Sequence, residues 1–301
     1  MKALAMGGAF LSLFGMTAAC SQSDPAVTVD AATDAAADAA SDADAAGPTC
    51  DLDAPFGHAT LVDYRSSADA GSIPLSGVLR LDAKAERFGI FDAVQGPSTK
   101  IFFAGRVGDG LVGADERVAS ASVVRASPAL SSDGKVLYFS AVVAGKSAIY
   151  RSGSDVTDFA AAALWLGSAQ ANMVMPYVAN DAALYFVDGT GPMRVAIDGT
   201  GKAGAPAAVG GVPATATAVA VNEAESVLYY GEGNAFDTAA THEMRWSGST
   251  WVAKDAQPLV IDGLQKVEMP TWLSPDGCRL YVLGWESVVD RALYLAVKPK
   301  K

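Results

Sequence analysis

Leu130-Ser131-Ser132-Asp133-Gly134-Lys135-Val136-Leu137-Tyr138-Phe139 decides how this chain is read, because a close variant returns as Leu273-Ser274-Pro275-Asp276-Gly277-Cys278-Arg279-Leu280-Tyr281-Val282. An apolar stretch, an Asp-Gly turn and a second apolar stretch spell one β-hairpin. Fainter copies end in Leu184-Tyr185-Phe186, Leu228-Tyr229-Tyr230 and Phe88-Gly89-Ile90. With Phe88, Leu137, Leu184, Leu228 and Leu280 taken as equivalent anchors, the steps are 49, 47, 44 and 52 residues. That is the spacing of four-stranded propeller blades. The expected fold is all-β, a β-propeller of about five four-stranded blades, or six if shared terminal strands complete another.

Within each copy the anchor opens a second strand that is apolar on both faces, as a sheet covered by neighbouring blades requires. Third strands are expected at 100–103, 148–151, 192–195, 243–246 and 292–295, and fourth strands at 163–166 and 258–261. A tight hairpin between right-twisted strands needs positive φ at its central residues, and Asp-Gly tolerates that at little cost. Asp133-Gly134 and Asp276-Gly277 are therefore expected to be tight turns. In the third and fourth copies Asn180-Asp181-Ala182 and Glu223-Ala224-Glu225 stand in their place.

Outward from the repeats, the chain divides at residues 19 and 49. Residues 1–19 carry Lys2, an apolar stretch from Ala9 to Met16 and the small residues Thr17-Ala18-Ala19, the pattern of a secretory signal peptide. Small residues before Cys20 resemble the bacterial lipobox, although Thr17 stands where that pattern usually has Leu. The resemblance implies that Cys20 becomes the lipid-modified first residue of the mature chain, and a cysteine with two or more acyl chains anchors durably. Ser21 follows rather than Asp, so outer-membrane delivery is expected, with the folded part either periplasmic or surface-exposed. Residues 21–49 are rich in Ala, Asp, Ser and Thr with no Lys, Arg or aromatic residue. Such a stretch cannot bury enough apolar surface to offset its chain entropy and reads as a disordered tether. Its reach is about 30 Å by chain statistics. Residues 50–301 form the propeller domain.

The net charge of −11 and pI near 4.6 exclude nucleic acid as a partner class, because phosphate binding needs clustered Lys and Arg. The terminal Lys298-Pro299-Lys300-Lys301 is expected to be a solvated, frayed end. Three cysteines in an exported chain leave one without a partner. Lipidation of Cys20 accounts for it, and Cys50 and Cys278 are then expected to form a disulfide that joins the start of the domain to its last repeat.

Pro128-Ala129-Leu130-Ser131-Ser132-Asp133-Gly134 and Pro270-Thr271-Trp272-Leu273-Ser274-Pro275-Asp276-Gly277, each followed by an apolar strand, resemble the TolB-type β-propeller repeat, whose core reads Pro-x-x-Ser-Pro-Asp-Gly. The resemblance covers two of the repeats and implies a propeller in the cell envelope. It carries no partner identity over to this chain.

Chemistry-bearing residues are sparse. His58 and His242 are the only histidines, and neither has metal-ligand spacing to a cysteine or to the other. No Gly-x-Ser-x-Gly elbow exists, so no catalytic residue, metal or cofactor is expected. His242 is expected to be a hydrogen-bonded loop residue. Counting four residues past each anchor gives Asp92, Ala141, Asp188, Glu232 and Gly284, so three equivalent strand ends carry an acid. Asp92, Asp188 and Glu232, with Trp285 as an aromatic platform, are the expected ligand-binding residues. The bland reading is that acids are common where strands enter turns and that a Trp beside them packs. The functional expectation is a lipid-anchored, non-enzymatic module that binds an envelope protein, peptide or glycan. The alternative is a carbohydrate-active enzyme working with those three carboxylates.

Overall fold

The second strand of every repeat is an almost unbroken apolar run, and where side chains are described the structure buries nearly all of it. The structure is a computed structural model that describes residues 50–62, 64–65, 75–81, 88–95, 98–107, 110–116, 125–143, 145–152, 162–167, 172–233, 235–289 and 291–301. The expectations for the signal peptide, the tether and Cys20 lie outside these residues.

β1 (Thr60–Leu61) precedes β2 (Tyr64–Arg65), β3 (Leu75–Leu81), β4 (Phe88–Gln95), β5 (Ser98–Val107) and β6 (Gly110–Glu116); β2 to β6 form a five-stranded sheet in the order β2-β6-β5-β4-β3. β7 (Arg125–Leu130), β8 (Leu137–Val143), β9 (Lys146–Ser152) and β10 (Ala163–Leu166) form the second sheet in chain order. The third consists of β11 (Val174–Asn180), β12 (Ala183–Asp188), β13 (Gly191–Ala196) and β14 (Ala207–Ala208). β15 (Ala218–Val221), β16 (Val227–Glu232), β17 (Ala240–Trp246) and β18 (Trp251–Ala253) make the fourth. In the last sheet β19 (Lys266–Leu273), β20 (Arg279–Trp285) and β21 (Arg291–Val297) are completed on the outside by β1, which pairs antiparallel with β21. The fold is thus all-β, a β-propeller with four four-stranded blades, here numbered second to fifth in chain order, together with the five-stranded sheet. Successive first strands touch: β3 meets β7, β7 meets β11, β11 meets β15, β15 meets β19, and β19 meets β3.

Each anchor lies in the second strand of its sheet, and every expected third strand falls within β5, β9, β13, β17 or β21. Leu137, Tyr138 and Phe139 are buried, as are Leu184, Tyr185 and Phe186, so both faces of these strands are covered. Of the fourth strands, 163–166 is β10, but 258–261 is not a strand. The edge position in that sheet belongs to β18, held by a short turn in which Ser247 N–H donates to Thr250 O at 3.0 Å. Pro258 has no N–H to give a ladder, and the stretch after it folds as a loop with Ile261 buried and Val260 exposed.

The Asp-Gly segments are not tight two-residue turns. Six residues separate β7 from β8, and only Gly134 takes a positive φ, 72°. Asp133 acts through its side chain: Oδ1 accepts from Ser131 Oγ at 2.7 Å and from Lys135 N at 3.0 Å, while Ser131 Oγ accepts from Val136 N at 2.9 Å. The last copy repeats this with Ser274, Asp276, Cys278 and Arg279, and Gly277 at φ 77°. In the fourth copy Asn222 Oδ1 accepts from Ser226 N at 2.8 Å and Val227 N at 2.9 Å, so one side chain replaces both the Ser and the Asp. Glu225 takes the glycine's place there at φ 49°.

The altered copies also brace neighbouring blades. Ser132 N–H and Oγ donate to the Asp181 carboxylate at 3.0 and 2.5 Å. Asn180 Nδ2 donates to Glu223 O at 3.0 Å, and Glu223 N–H donates to Pro275 O at 3.2 Å. The hairpin turns of the second to fifth blades are therefore joined in one line of hydrogen bonds.

The two chain ends are locked together. Cys50 and Cys278 form the expected disulfide, with Cα atoms 5.7 Å apart; such bonds belong to chains that fold in oxidising compartments. The C-terminal residues are not frayed: Cys50 pairs with Lys300, Asp51 N–H donates to Pro299 O at 3.0 Å, and the Lys298 side chain is buried. Three cations grip three consecutive carbonyls of the turn that enters the domain: Arg245 Nη2 donates to Leu52 O at 2.6 Å, Lys254 Nζ to Asp53 O at 3.0 Å and Lys298 Nζ to Ala54 O at 2.7 Å. The buried Glu243 carboxylate lies among them, 2.5 Å from Arg245, 3.5 Å from Lys254 and 4.0 Å from Lys298. This is why a basic tail is ordered: its charge has a buried counter-ion and its amine a carbonyl.

Candidate functional site

Strand ends of the third and fourth blades carry two of the expected acids. Asp188 closes β12, and its Oδ1 accepts from Thr190 N and Thr190 Oγ1, both at 2.7 Å, so it shapes the turn into β13. Opposite it, Gly191 has φ 124°, and a Cβ there would lie 2.8 Å from Ala214 Cα. The neighbouring Thr215 hydroxyl donates to Glu232. The segment from β14 to β15 thus touches both strand ends. The other Glu232 oxygen is 3.7 Å from His242 Nε2. His242 is not a loop residue: it lies in β17 opposite Tyr230, whose ring stacks on it at 5.0 Å.

Asp92 is placed in β4 opposite Ile101, and the expectation for its side chain lies outside the described residues. Trp285 is no open platform. It is 6% exposed, packed edge-on against Phe236 at 5.8 Å and capped by the Arg291 guanidinium 5.8 Å from its centre. Arg291 is itself held by both oxygens of Glu268, a buried acid that the repeat register does not reveal because it sits at a register shift in β19. Among the described residues no three His, Cys, Asp or Glu side chains are grouped to hold a metal ion.

A second arrangement lies at the seam between the third and fourth blades, where Tyr185, Arg194, Ala224, Glu225, Trp246 and Trp251 line a cleft of about 380 Å³. Tyr185 and Arg194 are cross-strand partners in β12 and β13. Glu225 Oε2 accepts from Arg194 Nε at 3.0 Å and from Tyr185 Oη at 3.1 Å, and Oε1 accepts from Arg194 Nη2 at 2.9 Å. Burial first, and then the Glu225 charge, pushes the Tyr185 hydroxyl far above its ordinary pKa, so it stays a hydrogen-bond donor. Hydrogen bonding to Glu225 raises the Arg194 pKa further.

On the far wall, Trp246 and Trp251 pair across the β17–β18 hairpin with rings 5.4 Å apart at 63°. Trp251 is 4% exposed, its backbone N–H bound to Gly210 O, whereas Trp246 is 46% exposed. The sequence does contain the signal: Trp246-Ser247-Gly248-Ser249-Thr250-Trp251 is two aromatic residues flanking a turn. Its meaning depends on Arg194, from β13, and Glu225, from the loop between β15 and β16.

Beside the segment that precedes β1 a cavity of about 570 Å³ is lined by Asp53, Phe56, Glu243, Lys254, Pro258 and Lys298, among others. Burial lowers the Lys298 pKa to about 8, against the opposing pull of Glu243. Its amine is spent on Ala54 O and lies 4.4 Å from the Phe56 ring centre, which makes it a clasp.

No family model matches the chain, and no curated protein matches it in sequence. Among solved structures, the catalytic domain of a Coprinopsis cinerea GH62 α-L-arabinofuranosidase is similar with a TM-score of 0.53 and 12% identity, over 83% of this chain and 98% of that one. TolB from Acinetobacter baumannii matches with a TM-score of 0.47 and 12% identity, over 77% of this chain and 56% of its own. A protein described as TolB from Agrobacterium tumefaciens matches with a TM-score of 0.46 and 10% identity, over 82% and 91%. At these identities the likeness is one of fold, and function has to be argued from the site.

Proposed function

We propose that the protein is a lipid-anchored binding module of the cell envelope, held at Cys20 on the outer membrane by the tether of residues 21–49, with the five-stranded sheet serving as the first blade of a five-bladed ring. It is read as non-enzymatic, displaying a rigid disc to an envelope protein, peptide or glycan. The observation that carries this reading is the seam cleft, where exposed Trp246 stands beside a charge pair that neutralises itself. Such a surface offers stacking and directed hydrogen bonds, the features of a recognition pocket, and its one carboxylate is committed to Arg194. The braced turns and the disulfide support the rigidity that recognition needs. Membrane fractionation tests the anchor: the wild-type chain should pellet with outer membranes and Cys20→Ala should not. A wild-type chain found wholly in the soluble fraction overturns it.

A second reading, a carbohydrate-active enzyme using Asp92, Asp188 and Glu232, is favoured by the β14–β15 segment that touches both strand ends. Turnover of aryl glycosides by the wild type that disappears in Asp188→Asn and Glu232→Gln would establish it. Absence of turnover across furanosides and pyranosides supports the binding module.

A further inference from the structure

Resting on the binding-module reading, we infer that the seam cleft between the third and fourth blades is a binding site for an uncharged saccharide, with Trp246 as its stacking surface and Arg194 as its hydrogen-bond donor. Three features of the cleft select that ligand class.

The first is the shape of the aromatic surface. One indole, Trp246, is open to solvent, and the two other rings of the cleft, Trp251 and Tyr185, are buried. A single open face suits the flat C–H side of one sugar ring. A polyproline segment, the other common guest of aromatic grooves, is gripped by several exposed rings set along its length, and the cleft does not present them. Trp246 is also held in advance, its ring by the edge contact with Trp251 and its backbone by the main-chain N–H bond to Ser226 O at 3.1 Å, so part of the ordering cost is met before binding.

The second is charge. Both Glu225 oxygens are engaged by Arg194, and Asn180 Nδ2 adds a further bond to Oε1 at 3.3 Å. An anionic guest would compete with Glu225 for the guanidinium, and a cationic guest would compete with Arg194 for the carboxylate. A hydroxylated neutral guest competes with neither. Arg194 uses Nε and Nη2 on Glu225, and a guanidinium has five N–H donors in one plane. The remaining donors can reach adjacent hydroxyl oxygens, a geometry that a lysine lacks.

The third is size. At about 380 Å³ the cleft falls at the lower end of ligand pockets and fits one or two sugar rings better than a folded partner.

Titration of the full mature chain with neutral oligosaccharides of glucose, xylose, arabinose and N-acetylglucosamine, read by tryptophan fluorescence and calorimetry, tests this. At least one should bind. Trp246→Ala and Arg194→Lys should each weaken it by about tenfold or more, while Trp246→Ala still unfolds in one cooperative transition, its melting temperature lowered only by the lost contact with Trp251. Binding unaffected by Trp246→Ala, binding of none of these sugars, or tighter binding of an acidic saccharide or an octaproline peptide overturns the inference. Failure of the broader reading would look different: release of sugar from the titrated oligosaccharide by the wild type but not by Glu232→Gln removes the non-enzymatic reading, and the effect of Trp246→Ala on affinity still decides this site.

Discussion

Glu225 crosses the seam between the third and fourth blades and holds Arg194 through two hydrogen bonds, at 2.9 and 3.0 Å. It does so from a loop position that belongs to glycine in two other repeats, Gly134 and Gly277, and it takes their positive φ. A side chain in that conformation costs about 1–2 kcal/mol. The loop tolerates the strain because the carboxylate joins two blades.

Two substitutions separate the strain from the ion pair. Glu225→Ala and Glu225→Gly both remove the carboxylate, and only the alanine keeps the unfavourable backbone. Both variants should unfold at lower denaturant than wild type, with Glu225→Gly the more stable of the two by about 1 kcal/mol. Equal midpoints would contradict the assignment of strain.

The Asp-Gly turn makes a similar division possible. If Asp133 served through backbone freedom, Asp133→Gly would be neutral or better. Because its side chain accepts from Ser131 Oγ and Lys135 N, Asp133→Gly should instead destabilise by about 1–2 kcal/mol, and Asp133→Asn, which keeps an acceptor oxygen, by less. Chemical denaturation of the three proteins checks the order.

The disulfide joins residues 228 apart and ties the last blade to the segment that precedes β1. Cys50→Ser with Cys278→Ser should lower stability by about 2–5 kcal/mol. Alkylation of the folded protein without reductant should leave both cysteines unlabelled. Labelling of both would remove the bond from the account.

Lys298 gives stability a pH dependence of defined sign. Its pKa is lowered to about 8 in the folded chain by burial, from an ordinary 10.5, with Glu243 and Asp53 opposing the shift and Lys254 and Arg245 adding to it. Between those values the unfolded chain binds more protons, so stability rises with pH through that window and the burial penalty is full below it. Lys298→Met has no such group. The melting temperature of wild type relative to Lys298→Met should therefore climb from pH 7.5 to pH 10. A flat difference would show that the amine is not buried as a cation. Tyr185 and Tyr229, whose pKa values are raised by burial, act on both proteins alike.

What was legible in the sequence follows from what each feature depends on. The anchors Leu137, Leu184, Leu228 and Leu280 marked second strands correctly because a strand covered on both faces must be apolar at every position. Cys50 and Cys278 could be paired because the chain holds three cysteines and Cys20 has another expected role. Trp285 misled, since its place beside a strand end says nothing about Phe236 and Arg291 covering its ring. The basic tail misled for the same reason: its counter-ion, Glu243, lies more than fifty positions upstream.

The repeat alone determined that this chain folds as a ring of β-blades, because local periodicity states which strands lie side by side and which faces must be buried. Tertiary structure alone decided what the departures from the repeat are for. Asn180, Asp181 and Glu225 look like decay when each copy is compared with the consensus, yet theirs are the side chains that reach a neighbouring blade. Comparing copies shows what a blade needs in order to fold and leaves out what one blade offers to another. Those contacts are made across a seam, between residues that no single copy contains. The same seam assembles Arg194, Glu225 and Trp246 from three different strands and loops.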